Sequence, residues 1–407
     1  MKVLLTAVTT GVDTNMGGPT GVIVKIMKGL STEQRYRYST VFSFLNYVSP
    51  EADAQVYKNR RFIFSINKFF SQFKWHKYLY FLVICIKFFF RLRHKLSLSR
   101  KEENLIIHAH DVMSSFIYLK FFKNHYRYRI ITSIHCVGSF WKEYGRGENN
   151  FFTRFIKQCE EYAISNSDII TFPSRGAANL YKQDFSKEVR RKLESDIVHI
   201  VYNGIDYDFI NNALSEQTQE NLRKKYGLQD KQNIILTVAS FRKSKGVDFI
   251  PNIAKALEGE ADFFLVGKGE LEGELKRQIS ELNLKNLLII PPIDRKELIN
   301  LMKISSVFLS PSRETVFDLV MLEAMSTVGP ILLASDIPGH DEMIEDEKTG
   351  FLSKPAAIAQ KIKFILNLNN AQINTIKENA KNRIVNNFLS QKMIENYEKI
   401  YLDFVKC

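Results

Sequence analysis

Short unbroken apolar runs recur along this chain, each followed by a stretch whose apolar residues return every three or four positions. In the first half the runs are KVLLTAV (2–8), NLIIHAH (104–110), YRIITSIH (128–135), DIITFPS (168–174) and IVHIVYNG (197–204). Unbroken apolarity marks strands buried on both faces, as in parallel sheets, and the longer period marks amphipathic helices. Helices are expected in NMGGPTGVIVKIMKGL (15–30), over 113–123, around 150–165 and around 175–182. The second half repeats the rhythm with NIILTVAS (233–240), DFFLVG (262–267), NLLIIPP (286–292), VFLS (307–310) and PILLAS (330–335). Such alternation predicts two α/β halves, each a doubly wound parallel sheet. The polar stretch 211–233 between them reads as a linker, and 407 residues suit two domains.

The stretch SPSRETVFDLVMLEAMS (310–326) focuses this picture. A buried strand runs through a short polar turn into a helix, apolar on one face from Phe317 onward. Ligands of open α/β sheets sit beyond the carboxyl ends of the strands, with anionic groups at helix N-termini. The turn offers Ser310, Ser312, Thr315 and the backbone N–H groups near Val316 and Phe317. Glu323 follows about two turns into the helix. A diphosphate on the helix start with ribose hydroxyls on Glu323 is one reading; a solvated glutamate on an amphipathic helix is the other.

Composition adds an asymmetry. Residues 1–205 hold 31 Lys and Arg against 16 Asp and Glu, whereas residues 206–407 hold 26 against 28, so the first half is expected to face something anionic. Residues 54–101 carry 12 Lys and Arg and no acid, interleaved with aromatics including Trp75 around YLYFLVICIKFFF (78–90). That core is too short to span a bilayer, which takes about 20 apolar residues, but a basic aromatic helix can lie in an anionic membrane interface. A packed crossover helix with basic ends is the alternative. The start, MKVLLTAVTTG, reads as a first strand rather than a secretory signal. Cys85, Cys136, Cys159 and Cys407 are scattered without a CxxC pair, which predicts neither a disulfide framework nor a zinc site and fits a reducing cytoplasm. His108, His110 and Asp111 lack further ligands for a metal and read as a strand end, and DYD (206–208) reads as the loop closing the first domain.

In order, the motifs GGPTG, HAHD, SIHCVGSF, SDIITFPS, VYNGID, SFRKSKGVDF, LVGKGEL, PSRETVFDLVMLEAMS and ASDIPGHDEMI resemble those of the retaining GT-B glycosyltransferases of the family 4 type. The resemblance runs from Gly17 to the C-terminal helix and is clearest over 200–352. It implies an α/β fold of the GT-B class, two Rossmann-like doubly wound domains facing an interdomain cleft. The domains would be an acceptor-binding one at 1–210 and a nucleotide-sugar-binding one at 211–385, with a helix at 386–407 returning to the first. It also implies a metal-independent hexosyltransferase that takes a UDP- or GDP-linked sugar as co-substrate, with no other cofactor.

Site residues follow from the resemblance position by position. Gly17 and Gly18 would face the donor's diphosphate and sugar, and His135 would hydrogen bond the sugar or adjacent backbone. Lys245 matches the family's Lys-Gly. The usual arginine five residues earlier is Ser240 here, with Arg242 as its possible substitute. Gly267 and Gly269 match a glycine turn near the nucleotide base, and Val316 and Phe317 offer N–H groups to the diphosphate. Glu323 matches the glutamate that binds the donor ribose. The family's other glutamate falls at Thr315, with Glu314 adjacent, so either could meet the sugar. Asp318 replaces a common glycine and is expected to point away, capping its helix.

These implications favour transfer to a glycan or lipid-linked acceptor in bacterial cell-surface polysaccharide synthesis, on the cytoplasmic face of the plasma membrane. A nucleotide-sugar epimerase of the same fold and a non-catalytic membrane scaffold are the competing readings. Nucleic acid is not expected as a partner, since no dedicated motif accompanies the positive charge.

Overall fold

The computed structural model describes residues 2–7, 18–32, 37–42, 76–99, 105–145, 149–228 and 233–406. The chain divides into two compact units. The first comprises Met1–Pro173, Ala177–Val201 and Ile394–Cys407, and the second Ser174–Gly176 and Tyr202–Met393.

The first unit is built on a parallel sheet of β1 (Lys2–Ala7), β2 (Arg37–Phe42), β3 (Leu105–Ala109), β4 (Arg129–Ser133), β5 (Ile169–Phe172) and β6 (Val198–Ile200). Their order is β2-β1-β3-β4-β5-β6. Helices α1 (Gly18–Thr32), α2 (His76–Leu98), α3 (Val112–Phe121), α4 (Phe140–Gly145) and α5 (Phe151–Asn166) belong to this unit. Local chemistry starts them where they start. Asp111 caps α3 by accepting the Ser114 N–H, and Asn150 with Thr153 forms a capping box on α5. The basic aromatic stretch is described only from α2 onward; its earlier part, with Trp75, lies outside the described residues. Phe81, Ile84, Phe88, Leu92 and Leu96 form the buried stripe of α2.

In the second unit β7 (Ile234–Ser240), β8 (Asp262–Lys268), β9 (Leu287–Ile290), β10 (Val307–Ser310), β11 (Ile331–Ser335) and β12 (Phe351–Ser353) are also parallel, in the order β12-β11-β10-β7-β8-β9. Here α6 (Tyr207–Ala213), α7 (Glu216–Tyr226), α8 (Arg295–Ile304), α9 (Leu319–Ser326) and α10 (His340–Met343) are the helices that bear on the site. The expected linker at 211–233 is therefore largely helical. Ser215 caps α7, Gly227 ends it in the left-handed conformation, and Lys225 pairs with Glu297 of α8. Likewise the DYD segment is not a loop, since Asp206 caps α6 through the Phe209 N–H.

Strand order fixes where ligands can bind. Successive strands run outward from β7 through β8 to β9, then the chain returns to place β10 on the other side of β7. Such a reversal leaves a crevice at the carboxyl ends of the two adjoining strands, here β7 and β10. The equivalent reversal in the first sheet lies between β1 and β3.

Candidate functional site

Both loops at the second reversal carry expected site residues, and the backbone ties them together. After β7 the chain makes a tight turn over Lys243–Lys245, closed by the Lys245 N–H on the Arg242 carbonyl at 3.0 Å. Gly246 follows with φ +64°, and a Cβ there would fall 1.9 Å from the Pro311 carbonyl oxygen. Only glycine fits so close an approach. Arg313 then clasps the turn: its N–H donates to the Ser244 carbonyl at 2.8 Å, and its guanidinium makes a bidentate pair with Asp248 at 2.6 and 2.7 Å. Lys245, half-buried, is thereby held beside the start of α9, while Arg242 stays exposed.

The helix α9 begins later than the apolar pattern suggests, with Asp318 as its N-cap. One Asp318 oxygen accepts the Met321 N–H at 3.2 Å and the other accepts the Ser310 hydroxyl at 2.8 Å. Burial alone would raise this carboxyl, but His340, the Lys245 charge and Ser310 more than offset it. The group stays ionised, well below the usual carboxylate range. So Asp318 caps its helix as expected, and the Lys245 charge bears on it.

Glu323 is a paired group, not a solvated one. Its Oε1 accepts from Arg295 Nη2 at 2.6 Å, and the Arg295 guanidinium also lies 4.5 Å over the Phe209 ring. Thr315 is buried with its methyl toward the Gly339 position, whereas Glu314 is exposed. The Val316 carbonyl accepts the Ser174 hydroxyl at 2.7 Å, and the Phe317 ring stacks on Tyr202 with centroids 5.6 Å apart. Gly267 and Gly269 pack against the backbone of Ala239 and Phe241, where any Cβ would clash. They let the ends of β7 and β8 lie together.

In the first unit, Gly18 opens α1 and Gly17 lies outside the described residues. His135 follows β4 and stacks on His110, with Nε2 3.3 Å from His110 Nδ1. His108 is wholly buried, bonded to the Tyr401 hydroxyl and to Ser133 Oγ, each at 2.7 Å. Burial lowers His135 to about 4, and burial with the His135 charge lowers His108 to about 3. His110 is lowered too, by burial first and then by the two other imidazoles. At neutral pH this trio is uncharged, so His135 offers a hydrogen bond and not a cation. Among the described residues no three His, Cys, Asp or Glu side chains are grouped to hold a metal ion.

Several partners were invisible in the sequence. Arg295 stands 28 residues before Glu323, and His340 opens α10 after another strand, so no local spacing points to them. Glu342 accepts the Arg175 and Gly176 N–H groups and the Tyr202 hydroxyl; only its place in PGHDEM could have drawn notice.

Residues 218–383 match the family model described as glycosyl transferases group 1, and residues 51–209 match glycosyltransferase family 4. An Escherichia coli UDP-Gal:alpha-D-GlcNAc-diphosphoundecaprenol alpha-1,3-galactosyltransferase is 28% identical over 51% of this chain and 54% of its own length. The N-acetyl-alpha-D-glucosaminyl L-malate synthase of Bacillus anthracis is 26% identical over 60% of this chain and 62% of its own. The chain thus spans between half and two thirds of these curated relatives. Among solved structures, the Anabaena protein HepE in complex with UDP superposes with a TM-score of 0.70 at 14% identity, covering 99% of this chain and 100% of that one. At such identity the likeness concerns the fold.

Proposed function

Because this chain belongs to the GT-B glycosyltransferases of group 1, we propose that it moves a hexosyl group from a nucleotide-sugar to a lipid-linked or glycan acceptor. The observation that carries this reading is the construction of the second unit's strand reversal. Lys245 is clasped beside the N-terminus of α9, and Glu323, held by Arg295, lies farther along the same helix. In the reading, Glu323 takes the donor ribose hydroxyls. Lys245, Arg242 and the N–H groups at Val316 and Phe317 take the diphosphate. The glycine turn at Gly267 and Gly269 lies near the base. The relative acting on a UDP-sugar and a diphosphoundecaprenol-linked acceptor supports UDP over GDP and a lipid-linked acceptor.

In the reaction, the bond between the anomeric carbon and the diphosphate oxygen breaks and its electron pair stays with the diphosphate. Fixed positive groups at that oxygen lower the barrier without reorganising, which is electrostatic preorganisation. The acceptor oxygen bonds to the anomeric carbon on the face the diphosphate leaves, and its proton passes to a phosphate oxygen. Configuration is retained. Thr315 or Glu314 meets the sugar from the turn before α9. No metal takes part, because the two cations neutralise the leaving group.

The acceptor would lie on the basic first unit, with α2 against the inner face of the plasma membrane, in surface polysaccharide synthesis. No helix among the described residues is long and apolar enough to cross a membrane, and the exposed apolar and basic residues of α2 support attachment at its surface. Incubating the protein with UDP-galactose and a polyprenyl-diphosphate-linked sugar should release UDP and yield a disaccharide with the donor's anomeric configuration by NMR. An isomerised nucleotide-sugar without acceptor would indicate an epimerase, and an inverted product would refute retention.

A further inference from the structure

The N-terminus of α9 already holds an anion of its own. Asp318 lies against the Met321 N–H and the Ser310 hydroxyl and feels the Lys245 charge, the groups nearest to where a diphosphate would rest. Two anions cannot share them without repulsion. A neighbouring side chain has an unused capacity. His340 is wholly buried, and its Nδ1 lies 2.9 Å from the Ser335 carbonyl, which can only accept, so Nδ1 carries a proton. Its Nε2 is buried without a hydrogen-bond partner and faces Asp318 Oδ2 at 3.8 Å. That gap is about 1 Å longer than a charge-assisted hydrogen bond.

His340 cannot close the gap itself. Gly339, at φ +97°, presses the turn against Thr315 and Val316, its N–H is held by Asp341 at 2.9 Å, and Nδ1 is anchored. Asp318 can, by a small side-chain rotation. Of the other charged groups nearby, Asp341 is engaged with Gly339, and Glu342 with Arg175, Gly176 and Tyr202. Lys245 is the remaining charge that bears on the pair.

We propose that Asp318 is an internal occupant of the donor's phosphate position and that His340 is the seat its carboxylate moves to when a nucleotide diphosphate arrives. In the empty site Asp318 keeps the helix start satisfied and sits in the field of Lys245. When the diphosphate enters, Asp318 turns toward His340, one proton taken up from solvent bridges its Oδ2 and the Nε2, and Lys245, Ser310 and the α9 N–H groups pass to the phosphates. His340 acts through Asp318 and is a positioning residue. This inference rests on the donor placement given above.

Calorimetric titration of the full chain with UDP tests it. Asp318→Gly should tighten UDP binding about tenfold, since glycine is itself a tolerated helix cap and α9 survives. His340→Leu should weaken UDP about tenfold in the wild-type background and change it less than twofold when combined with Asp318→Gly. His340→Gln, which still offers an N–H to Asp318, should stay within about threefold of wild type. Equal losses from His340→Leu in both backgrounds, or no gain from Asp318→Gly, would overturn the switch. Glu323→Ala separates the two ideas: if it leaves UDP affinity untouched the donor placement fails, and if it weakens UDP while the coupling is absent only the switch fails.

Discussion

Two acids drawn into the protein go opposite ways here, and their partners decide which. Asp318 meets Lys245, His340 and a hydroxyl and keeps its charge. Glu160 of α5 meets only neutral donors, the Phe140 and Trp141 N–H groups and the Tyr181 hydroxyl, and burial raises it to about 7. An unfolded glutamate ionises near 4.5, so the folded state binds the proton better between about 4.5 and about 7. Stability is therefore lost as pH rises through that window, by about 3 kcal/mol, and is unaffected below it. Glu160→Gln turns an N–H₂ toward the Trp141 or Phe140 N–H, which destabilises at every pH but removes the slope. Denaturant midpoints at pH 4.5 and 7.5 should show the wild type's advantage over the variant shrinking by that amount; a constant advantage would contradict the assignment. At this scale the sequence revealed Lys245 and Glu323, whose spacing from strand ends and helix starts is local. It hid Glu160, Arg295 and His340, whose roles come from contacts the chain makes only after folding.

Among elements, every inner strand was legible, as were the edge strands β6 and β9, whereas the edge strands β2 and β12 were not. β7, β8, β10 and β11 are unbroken apolar runs because they are covered on both faces. β2, RYSTVF, and β12, only three residues long, lie at sheet edges and lack that signature. The helix α2 was legible as basic and aromatic, and its faces are now distinguishable. Phe81, Ile84, Phe88 and Leu92 point inward, while Leu82, Ile86 and Phe90 on the outer face are 50%, 47% and 59% exposed. Lys87, Arg91 and Arg93 are exposed on the same helix, and Phe121 of α3, half exposed, lies against Phe89 beside it. Aliphatic and aromatic anchors among cations suit an anionic interface, each buried side chain contributing about 1.5–3 kcal/mol. Flotation with phosphatidylglycerol vesicles should bring the wild type to the top of the gradient. Ile86→Glu with Phe90→Glu should reduce that binding at least tenfold; equal flotation of both proteins, or none of either, would rule out α2 as the anchor.

Across the whole molecule, two sheets of parallel strands use two different orders, and each reverses direction once. Neither order could be read from apolar runs, because those runs report burial and not neighbours. The reversal between β7 and β10 is what turns separate motifs into one site, bringing the Lys245 turn against the loop that starts α9. The charge asymmetry of the chain fits a division of labour in which the basic half meets an anionic acceptor surface and the other half holds the nucleotide. The most direct measurement of that division is thermal unfolding with UDP. At a concentration one hundred times its Kd, a ligand confined to the folded state adds about 2.7 kcal/mol, or roughly 5–10 °C for a unit of this size. The wild type should show that rise and Glu323→Ala should show none. An equal rise in both proteins, or no rise in the wild type with UDP or GDP, would contradict the placement of the donor on the second unit.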